Sequence, residues 1–269
     1  MQSPIRWVGS KRKLVNKIIK YIPKNFNTYY ELFAGSCSLL FKIEPSKAVI
    51  SDTNQDLICF YKILKTNVKE LIEETLKLET NEKAYYKIRA WDRNPNWPYT
   101  ELKRATRFLY LNRTCFNGVW RVNSKGYFNV PFRKSENIDF KIELLKAASL
   151  KLQNVEIFNE NFTFFINKIK EGDFVYLDPP YLVNANCGPS NYNLNDFSYN
   201  LQLKLVHFCK ILDKKNVKFV LSNSYSKESI KLYSNFNIEI IDVKRCVGSL
   251  KKTRKYVQEI LVSNHKIDK

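Results

Sequence analysis

The tetrapeptide Asp178-Pro179-Pro180-Tyr181 is the strongest chemical signal in the sequence. It directly follows an apolar run, residues 174–177, which is typical of a buried strand. Ligands of open parallel sheets bind at the carboxyl ends of such strands. A carboxylate and a proline carbonyl can each accept one N–H of an exocyclic amine, and a tyrosine ring can stack on a planar base. The motif therefore favours an aminated ring as ligand, with a proline-stiffened turn and a core tyrosine as the alternative.

A second candidate site combines a turn of small residues with an acid at the end of the next predicted strand. The turn is Phe33-Ala34-Gly35-Ser36, in which glycine lets a ligand approach the backbone closely. Asp52 ends the following strand, where nucleotide-binding folds place an acid on the ribose hydroxyls. The alternative role of Asp52 is to cap the next helix. Because the chain lacks a full G-x-G-x-x-G pattern here, the pair favours a ribose-containing ligand over a pyrophosphate cofactor.

The elements that must position these residues alternate between strand and helix at both ends of the chain. Helices are predicted over residues 10–22 and 199–212. The predicted strands cover residues 28–33, 48–52, 155–158, 174–177, 217–222, 238–243 and 257–262. This alternation predicts an α/β fold with a mostly parallel sheet, and the last two strands can add an antiparallel hairpin to its edge.

The middle of the chain, residues 54–153, has a different, mainly helical pattern. Helices are predicted over residues 55–65, 68–78, 83–92 and 100–112. Residues 116–132 are predicted to form a β-hairpin with its turn at residues 123–126. We therefore expect a discontinuous domain of residues 1–53 and 154–269, interrupted by a subdomain of residues 54–153.

Composition restricts the classes of function. The 269 residues carry a formal net charge of +19, which indicates a polyanionic partner or simply a lysine-rich composition. The six cysteines form no C-x-x-C pair and there are two histidines, so we expect neither a metal site nor Ser-His or Cys-His catalysis. No segment resembles a signal peptide or approaches the roughly 18 apolar residues of a membrane span. We expect a cytoplasmic protein with no membrane contact.

The motifs and their order resemble the Dam-like class, D12, of N6-adenine-specific DNA methyltransferases nearly end to end. Residues 7–11, the amino-terminal segment, are similar to the family's W-x-G-x-K segment, and residues 33–36 to its F-x-G cofactor loop. Residues 178–181 match its D-P-P-Y motif, and residues 159–162 are the counterpart of a third cofactor segment. The resemblance implies a Rossmann-like, class I S-adenosylmethionine-dependent methyltransferase fold. It implies cofactor binding by Trp7, Gly9, Lys11, Phe33, Ala34, Gly35, Ser36, Asp52, Asn161, Phe162 and Asp178.

The hairpin segment, residues 112–132, is similar to the family's N-R-x-x-[FY]-N-G-x-x-R…G-x-F-N-V-P-F target-recognition hairpin. The resemblance implies that Phe116 wedges into the base stack and that Arg6 and Arg121 read bases, which agrees with the physics of aromatic wedges and of arginine on guanine. The candidate DNA-contact residues are Arg6, Arg113, Phe116, Asn117, Val119, Arg121, Asn123, Asn129 and Pro131. The basic run at residues 251–255 is a further candidate.

The resemblance implies methyl transfer from S-adenosylmethionine to N6 of an adenine flipped out of double-stranded DNA, with GATC as the expected site. We expect Asp178 to orient the amine, because an ordinary carboxylate is too weak a base to deprotonate it. The alternatives are an RNA adenine or protein amide methyltransferase and a catalytically silent DNA-binding protein. A cognate restriction endonuclease stays open as a partner. The chain departs from the family pattern at residues 192–197, in the loop after the D-P-P-Y motif.

Overall fold

The computed structural model of the chain describes residues 1–94, 100–134, 137–181, 199–246 and 254–266. Two parts of the sequence-based interpretation lie outside these ranges. One is the polar loop after the D-P-P-Y motif, with its departures from the family pattern at residues 192–197. The other is the start of the basic run, residues 251–253.

A seven-stranded sheet with strand order β3-β2-β1-β4-β5-β7-β6 forms the centre of the fold. Its strands are β1 Tyr29–Glu31, β2 Ala48–Ser51, β3 Val155–Phe158, β4 Phe174–Leu177, β5 Lys218–Ser224, β6 Asn237–Cys246 and β7 Arg254–Ser263. The first five strands pair in parallel, whereas β7 is antiparallel to both β5 and β6. This topology confirms the predicted fold class, including the antiparallel terminal hairpin.

Nine helices are described in the structure. They are α1 Val15–Ile18, α2 Leu40–Ile43, α3 Gln55–Thr66, α4 Val68–Leu76, α5 Glu82–Arg89, α6 Glu101–Thr114, α7 Ile142–Lys151, α8 Tyr199–Lys214 and α9 Lys227–Leu232. Polar side chains start several of them: Asn54, Asn81 and Thr100 each accept a backbone N–H of the first turn. In the part of the chain that the structure describes, none of the helices could span a lipid bilayer.

The prediction of one continuous helix over residues 10–22 is wrong. The segment is instead α1 flanked by 3-10 turns at Lys11–Lys13 and Ile19–Tyr21. Ser10 precedes the first turn but makes no capping hydrogen bond, because its hydroxyl group lies against Ser38, 2.8 Å away. Without a cap or an acidic first turn, little favours a longer helix here.

Helices α7 and α9 were not predicted. Helix α7 follows Lys141, a left-handed residue with φ 61°, and it has no side-chain cap that the sequence could have revealed. Helix α9 begins with a capping box made by Ser226 and Ser229. Serine stands there where glutamate or glutamine is the usual signal.

The sheet separates two buried clusters of apolar side chains. Alternate residues of the central strands enter opposite clusters: Tyr29 and Tyr176 lie in one, and Tyr30 and Val175 in the other. The cluster that contains Tyr29 also takes in buried residues of α3 and α6, including Phe60, Phe108 and Leu109. The helices of residues 54–153 therefore pack on one face of the sheet, and the division of the chain into two functional domains stays a prediction.

The hairpin segment is antiparallel but irregular. Isolated bridges pair Cys115 with Phe132 and Val122 with Phe128. The amide of Gly126 donates to the carbonyl of Asn123 at 2.9 Å, which closes the turn at the predicted residues. A 3-10 turn over Phe116–Gly118 interrupts the ladder. The structure confirms the hairpin and its turn. The two arms of the hairpin pair through isolated bridges, so the β-ladder is shorter than predicted.

Candidate active site

The two segments predicted to carry chemistry meet at the carboxyl edge of the sheet. Strands β1 and β4 are parallel neighbours, with Glu31 opposite Tyr176. The cofactor loop leaves the end of β1, and the D-P-P-Y motif leaves the end of β4. Because both strands end at this edge, the site lies where ligands bind in open α/β sheets.

Lys11 connects the amino-terminal segment to the D-P-P-Y motif. Its ammonium nitrogen lies 2.6 Å from Oδ1 of Asp178 and donates to the carbonyl of Gly9 at 3.1 Å. The same nitrogen lies 4.8 Å from the centroid of the Tyr181 ring. The Lys11 side chain is 7% exposed, so this ion pair is largely shielded from water. One cation thus contacts both the carboxylate and the aromatic ring of the motif.

Two buried residues that the sequence analysis missed also hold the motif. The hydroxyl of Tyr181 donates to Oε2 of Glu259 at 2.7 Å. The side-chain amide of Gln202 donates to the carbonyl of Pro180 at 3.5 Å. Burial raises the pKa of the Tyr181 phenol far above its ordinary value, so the hydroxyl keeps the proton that it donates. The signal that could have revealed both residues is a polar side chain on an otherwise apolar strand or helix face.

Asp52 ties the ends of β1 and β2 together. Its carboxylate accepts the amide N–H of Gly35 at 3.0 Å and that of Asn54 at 2.9 Å. Burial raises the pKa of Asp52. Helix α3 is capped by Asn54, whose Oδ1 accepts the amide of Leu57 at 3.0 Å. The alternative in which Asp52 caps this helix is therefore wrong.

The cofactor loop lies directly against the ring of Trp7. Gly35 has φ +44°, and a Cβ there would lie 2.9 Å from Trp7 Cδ1 and 3.0 Å from Nε1. Only glycine accommodates both the left-handed backbone and the close ring. The hydroxyls of Ser10, Ser36 and Ser38 lie 2.8–3.0 Å from one another and add a second contact between the same two segments.

The predicted third cofactor segment lies beside the first. Phe162 is 1% exposed, and its ring centroid is 5.5 Å from that of Phe33. Asn161 accepts the amide of Thr163 at 3.1 Å and so caps the 3-10 turn Phe162–Phe165. The side-chain amide of Asn159 donates to the carbonyl of Asp52 at 2.8 Å. The three predicted cofactor segments therefore surround one edge of the sheet, next to the D-P-P-Y motif.

The hairpin segment presents half of its predicted DNA-contact residues to solvent. Phe116 is 51% exposed, and three further candidates are exposed: Asn117, Arg121 and Pro131. Val119, Asn123 and Asn129 are half-buried. Arg121 Nε donates to Oδ1 of Asn129 at 2.8 Å. The carbonyl oxygen of the Asn123 side chain accepts the amides of Lys125 and Tyr127, both at 3.0 Å, and so supports the turn.

Arg6 and Arg113 are placed differently from the exposed hairpin residues. The side chain of Asn112 makes two hydrogen bonds to the backbone of Arg6. Its Oδ1 accepts the N–H of Arg6 at 3.0 Å, and its Nδ2 donates to the carbonyl of Arg6 at 2.7 Å. Arg113 is 6% exposed and donates to the carbonyl of Pro4. Burial lowers the pKa of Arg113 to about 10. Arg113 therefore lies beneath the residues that lead to Arg6, and its direct contact with DNA stays a prediction.

A buried ion pair anchors the other side of the hairpin segment. Arg107, 2% exposed, lies 2.6 Å from Oδ2 of Asp92, which also accepts the amide of Phe128 at 3.3 Å. Three more side chains donate to backbone carbonyls of the returning strand: Tyr85 and Arg89 to Val130 and Arg93 to Phe128, at 2.8–3.1 Å. Helices α5 and α6 thus fix the hairpin through its backbone, a role that no local sequence pattern revealed.

Comparison with known proteins identifies the family. The sequence model described as D12 class N6 adenine-specific DNA methyltransferase matches residues 7–247. A type II methyltransferase of Lactococcus lactis subsp. cremoris is 38% identical over 267 residues, covering 97% of this chain and 94% of that protein. A type II methyltransferase of Methanocaldococcus jannaschii is 37% identical over 286 residues, with 97% and 98% covered. The DNA adenine methylase of Escherichia coli K12 is 30% identical over 262 residues, with 96% and 93% covered.

Proposed function

Because the chain belongs to the D12 class N6 adenine-specific DNA methyltransferase family, and is therefore an adenine-specific DNA methyltransferase, we propose that it methylates a flipped adenine with S-adenosylmethionine as donor. The observation that carries this proposal is the meeting of Asp178, Tyr181 and the Gly35–Asp52 pair at one edge of the sheet. An amine-binding motif next to a ribose-binding acid is the arrangement that such a transfer needs.

The residues at the end of β1 and β2 fit S-adenosylmethionine. Gly35 has no side chain, and the Trp7 ring takes the place that a Cβ would occupy, so the loop backbone and this ring lie together beside the proposed donor site. Asp52 uses one lone pair of each carboxylate oxygen for a backbone amide and can accept ribose hydroxyls with the others. When bound, the cofactor supplies a methyl group that is activated by its sulfonium charge.

The D-P-P-Y motif prepares the adenine amine as the nucleophile. We assign one amine N–H to the Asp178 carboxylate and the other to the carbonyl of Pro179, because the carbonyl of Pro180 faces Gln202 of α8, whose amide it accepts at 3.5 Å. Accepting both hydrogens draws the nitrogen lone pair out of conjugation with the ring and directs it toward the methyl group. Tyr181 stacks on the ring. The enzyme contributes alignment, and no covalent intermediate with the protein is needed.

We assign target recognition to residues 54–153 together with Arg6. Phe116, exposed at the 3-10 turn, enters the base stack in the place of the flipped adenine, with Asn117 beside it. Arg6 and Arg121 each have the fork that guanine O6 and N7 accept, and GATC carries a guanine near each end of the duplex site. Val119 and Pro131 offer apolar contact to thymine methyl groups.

The donor assignment is tested by calorimetry. Asp52→Ala should weaken S-adenosylmethionine binding by about 1–3 kcal/mol, the cost of removing a charge-assisted hydrogen bond. Asp56→Ala is the matched control, because it removes a half-buried aspartate of α3 that pairs with Arg104 at 2.6 Å. Equal donor affinity in wild type and Asp52→Ala would contradict the role of Asp52 in cofactor binding.

The target sequence is tested by sequencing methylated adenines in DNA from cells that express the protein. We expect one dominant motif, GATC. A different dominant motif would contradict the assignment of Arg6, Val119, Arg121 and Pro131 while leaving adenine methylation intact.

A further inference from the structure

A buried carboxylate on the antiparallel part of the sheet contacts the D-P-P-Y motif. Glu259 is 3% exposed, and the next residues of β7, Ile260 and Leu261, are no more than 1% exposed. An ionisable side chain in such surroundings is costly unless it is hydrogen-bonded. The Tyr181 hydroxyl meets this need by donating to Oε2 of Glu259 at 2.7 Å. The proposed methyl transfer gives no other role to this carboxylate.

The register of the sheet explains how Glu259 reaches the site. Leu177, the last residue of β4, pairs with Leu221 of β5. Further along β5, Ser224 pairs with Glu259 of the antiparallel strand β7. Glu259 therefore lies beyond the level at which β4 ends, on the side toward which the D-P-P-Y motif leaves the sheet. A strand that enters the sheet late in the chain thus completes a site that β1 and β4 begin.

The Tyr181 ring is held at two separate points. Glu259 binds its hydroxyl, and the Lys11 ammonium lies 4.8 Å from its ring centroid. A single contact would leave the ring free to rotate about that contact. Two contacts define both the position of the ring and the tilt of its face. A ring that stacks on the target base needs this definition, because a misplacement of about 1 Å can cost a factor of about 100 in rate.

We infer that Glu259 is a positioning residue that holds the Tyr181 ring in the orientation that receives the flipped adenine. It acts on the reaction through the phenol hydroxyl and is not a catalytic residue. The inference rests on the proposed function, in which Tyr181 stacks on the adenine.

A double-mutant cycle between Glu259 and Tyr181 tests the inference, with single-turnover methylation of a duplex as the measurement. Glu259→Met removes the acceptor and keeps the volume, and it should lower the rate about 10- to 100-fold. Tyr181→Phe removes the donor and should cost the same. Because both changes break one hydrogen bond, the variant carrying both should be no slower than either alone. Glu259→Gln keeps an acceptor oxygen and should stay within about threefold of wild type.

Controls separate positioning from general destabilisation. Glu239→Met removes an exposed carboxylate of the edge strand β6, which accepts from the hydroxyl of Tyr21 in the first part of the chain, and should leave the rate unchanged. If Glu259→Met does not fold, the double variant can be measured in its place, because it leaves no buried polar group without its hydrogen-bond partner. Its rate should then equal that of Tyr181→Phe.

Two results would overturn the inference: rate losses that multiply in the double variant, or a Glu259→Gln enzyme as slow as Glu259→Met. Both leave the wild-type enzyme active on adenine and so leave the proposed function standing. A wild-type protein that labels no adenine contradicts the proposed function, and this inference with it.

Discussion

Gly118→Ala tests whether the position of Arg6 depends on the turn of the hairpin segment. A Cβ at Gly118 would lie 2.5 Å from Cβ and 2.6 Å from Cδ of Arg6. Carbon atoms in ordinary contact are about 3.5–4.0 Å apart, so the two residues must separate by about 1 Å. The φ of +65° at Gly118 adds a backbone cost of about 1–2 kcal/mol for any L-residue with a side chain.

Arg6 cannot move away from the added Cβ without losing its hydrogen bonds to Asn112. The Asn112 side chain holds its N–H at 3.0 Å and its carbonyl at 2.7 Å. Each hydrogen bond contributes about 0.5–1.5 kcal/mol, so displacing Arg6 costs about 1–3 kcal/mol in addition to the backbone cost. Sequence discrimination is a separate quantity. If Arg6 reads a guanine, discrimination against a substituted base pair should fall by about 1–3 kcal/mol, which is approximately 5- to 150-fold.

Gly126→Ala provides the matched control. Gly126 also has a positive φ, +79°, but nothing lies within 4 Å of the Cβ that the substitution adds. It should carry the backbone cost alone. The assays are urea unfolding and the ratio of methylation rates on a GATC duplex and on a duplex with its guanine replaced. Equal losses of stability and of discrimination in the two variants would refute the reasoning about Arg6.

Three further predictions follow from single contacts and from charge. Arg107→Met leaves Asp92 without its 2.6 Å partner and should lower the free energy of unfolding in urea by about 3–5 kcal/mol; a loss below about 1 kcal/mol would contradict the role of this pair. Burial raises the pKa of Glu31 from 4.5 to about 8, so the folded protein keeps a proton that the unfolded chain releases. As pH rises from 4.5 to about 8, the unfolding free energy of wild type should therefore fall relative to that of Glu31→Gln, by up to about 1.4 kcal/mol per pH unit. A difference between the two proteins that is constant with pH would contradict the raised pKa of Glu31. Non-specific duplex affinity should fall by about 0.9 log units per log unit of salt for each phosphate contacted. A slope near zero would show that the lysines and arginines behind the +19 net charge do not contact DNA phosphates.

The sequence was most informative where chemistry and local pattern coincide. Strands β3 and β4 have the predicted bounds, because each is a short segment of strand-forming residues with a polar residue directly before and after it. Gly35 and Asp178 were identified from residue type and from their place after a predicted strand. The structure brings both to one edge of the sheet, since parallel strands end together.

Residues whose roles depend on distant parts of the chain were not predicted. Glu259 reaches Tyr181 through the register of β4, β5 and β7, which no local pattern contains. A polar residue on the apolar face of α8 marks Gln202 as unusual, but its contact with the carbonyl of Pro180 follows only from the fold. DNA contact by Arg113 stays a prediction, but α6 continues to Thr114, beyond its predicted end at residue 112. That extension places Arg113 on the buried side of the helix, against the carbonyl of Pro4.

Transfer of tritium from methyl-labelled S-adenosylmethionine to a GATC duplex, with wild type and Asp178→Ala compared, tests the central claim most directly. Wild type should place the label on N6 of adenine, as resolved by nucleoside chromatography. Asp178→Ala should be slower by about 100-fold or more, because it loses an acceptor that aligns the amine. Its duplex affinity should stay close to that of wild type, because lysine and arginine contacts elsewhere supply most of the binding. An Asp178→Ala enzyme within about tenfold of the wild-type rate, or label on any atom other than adenine N6, would contradict the account.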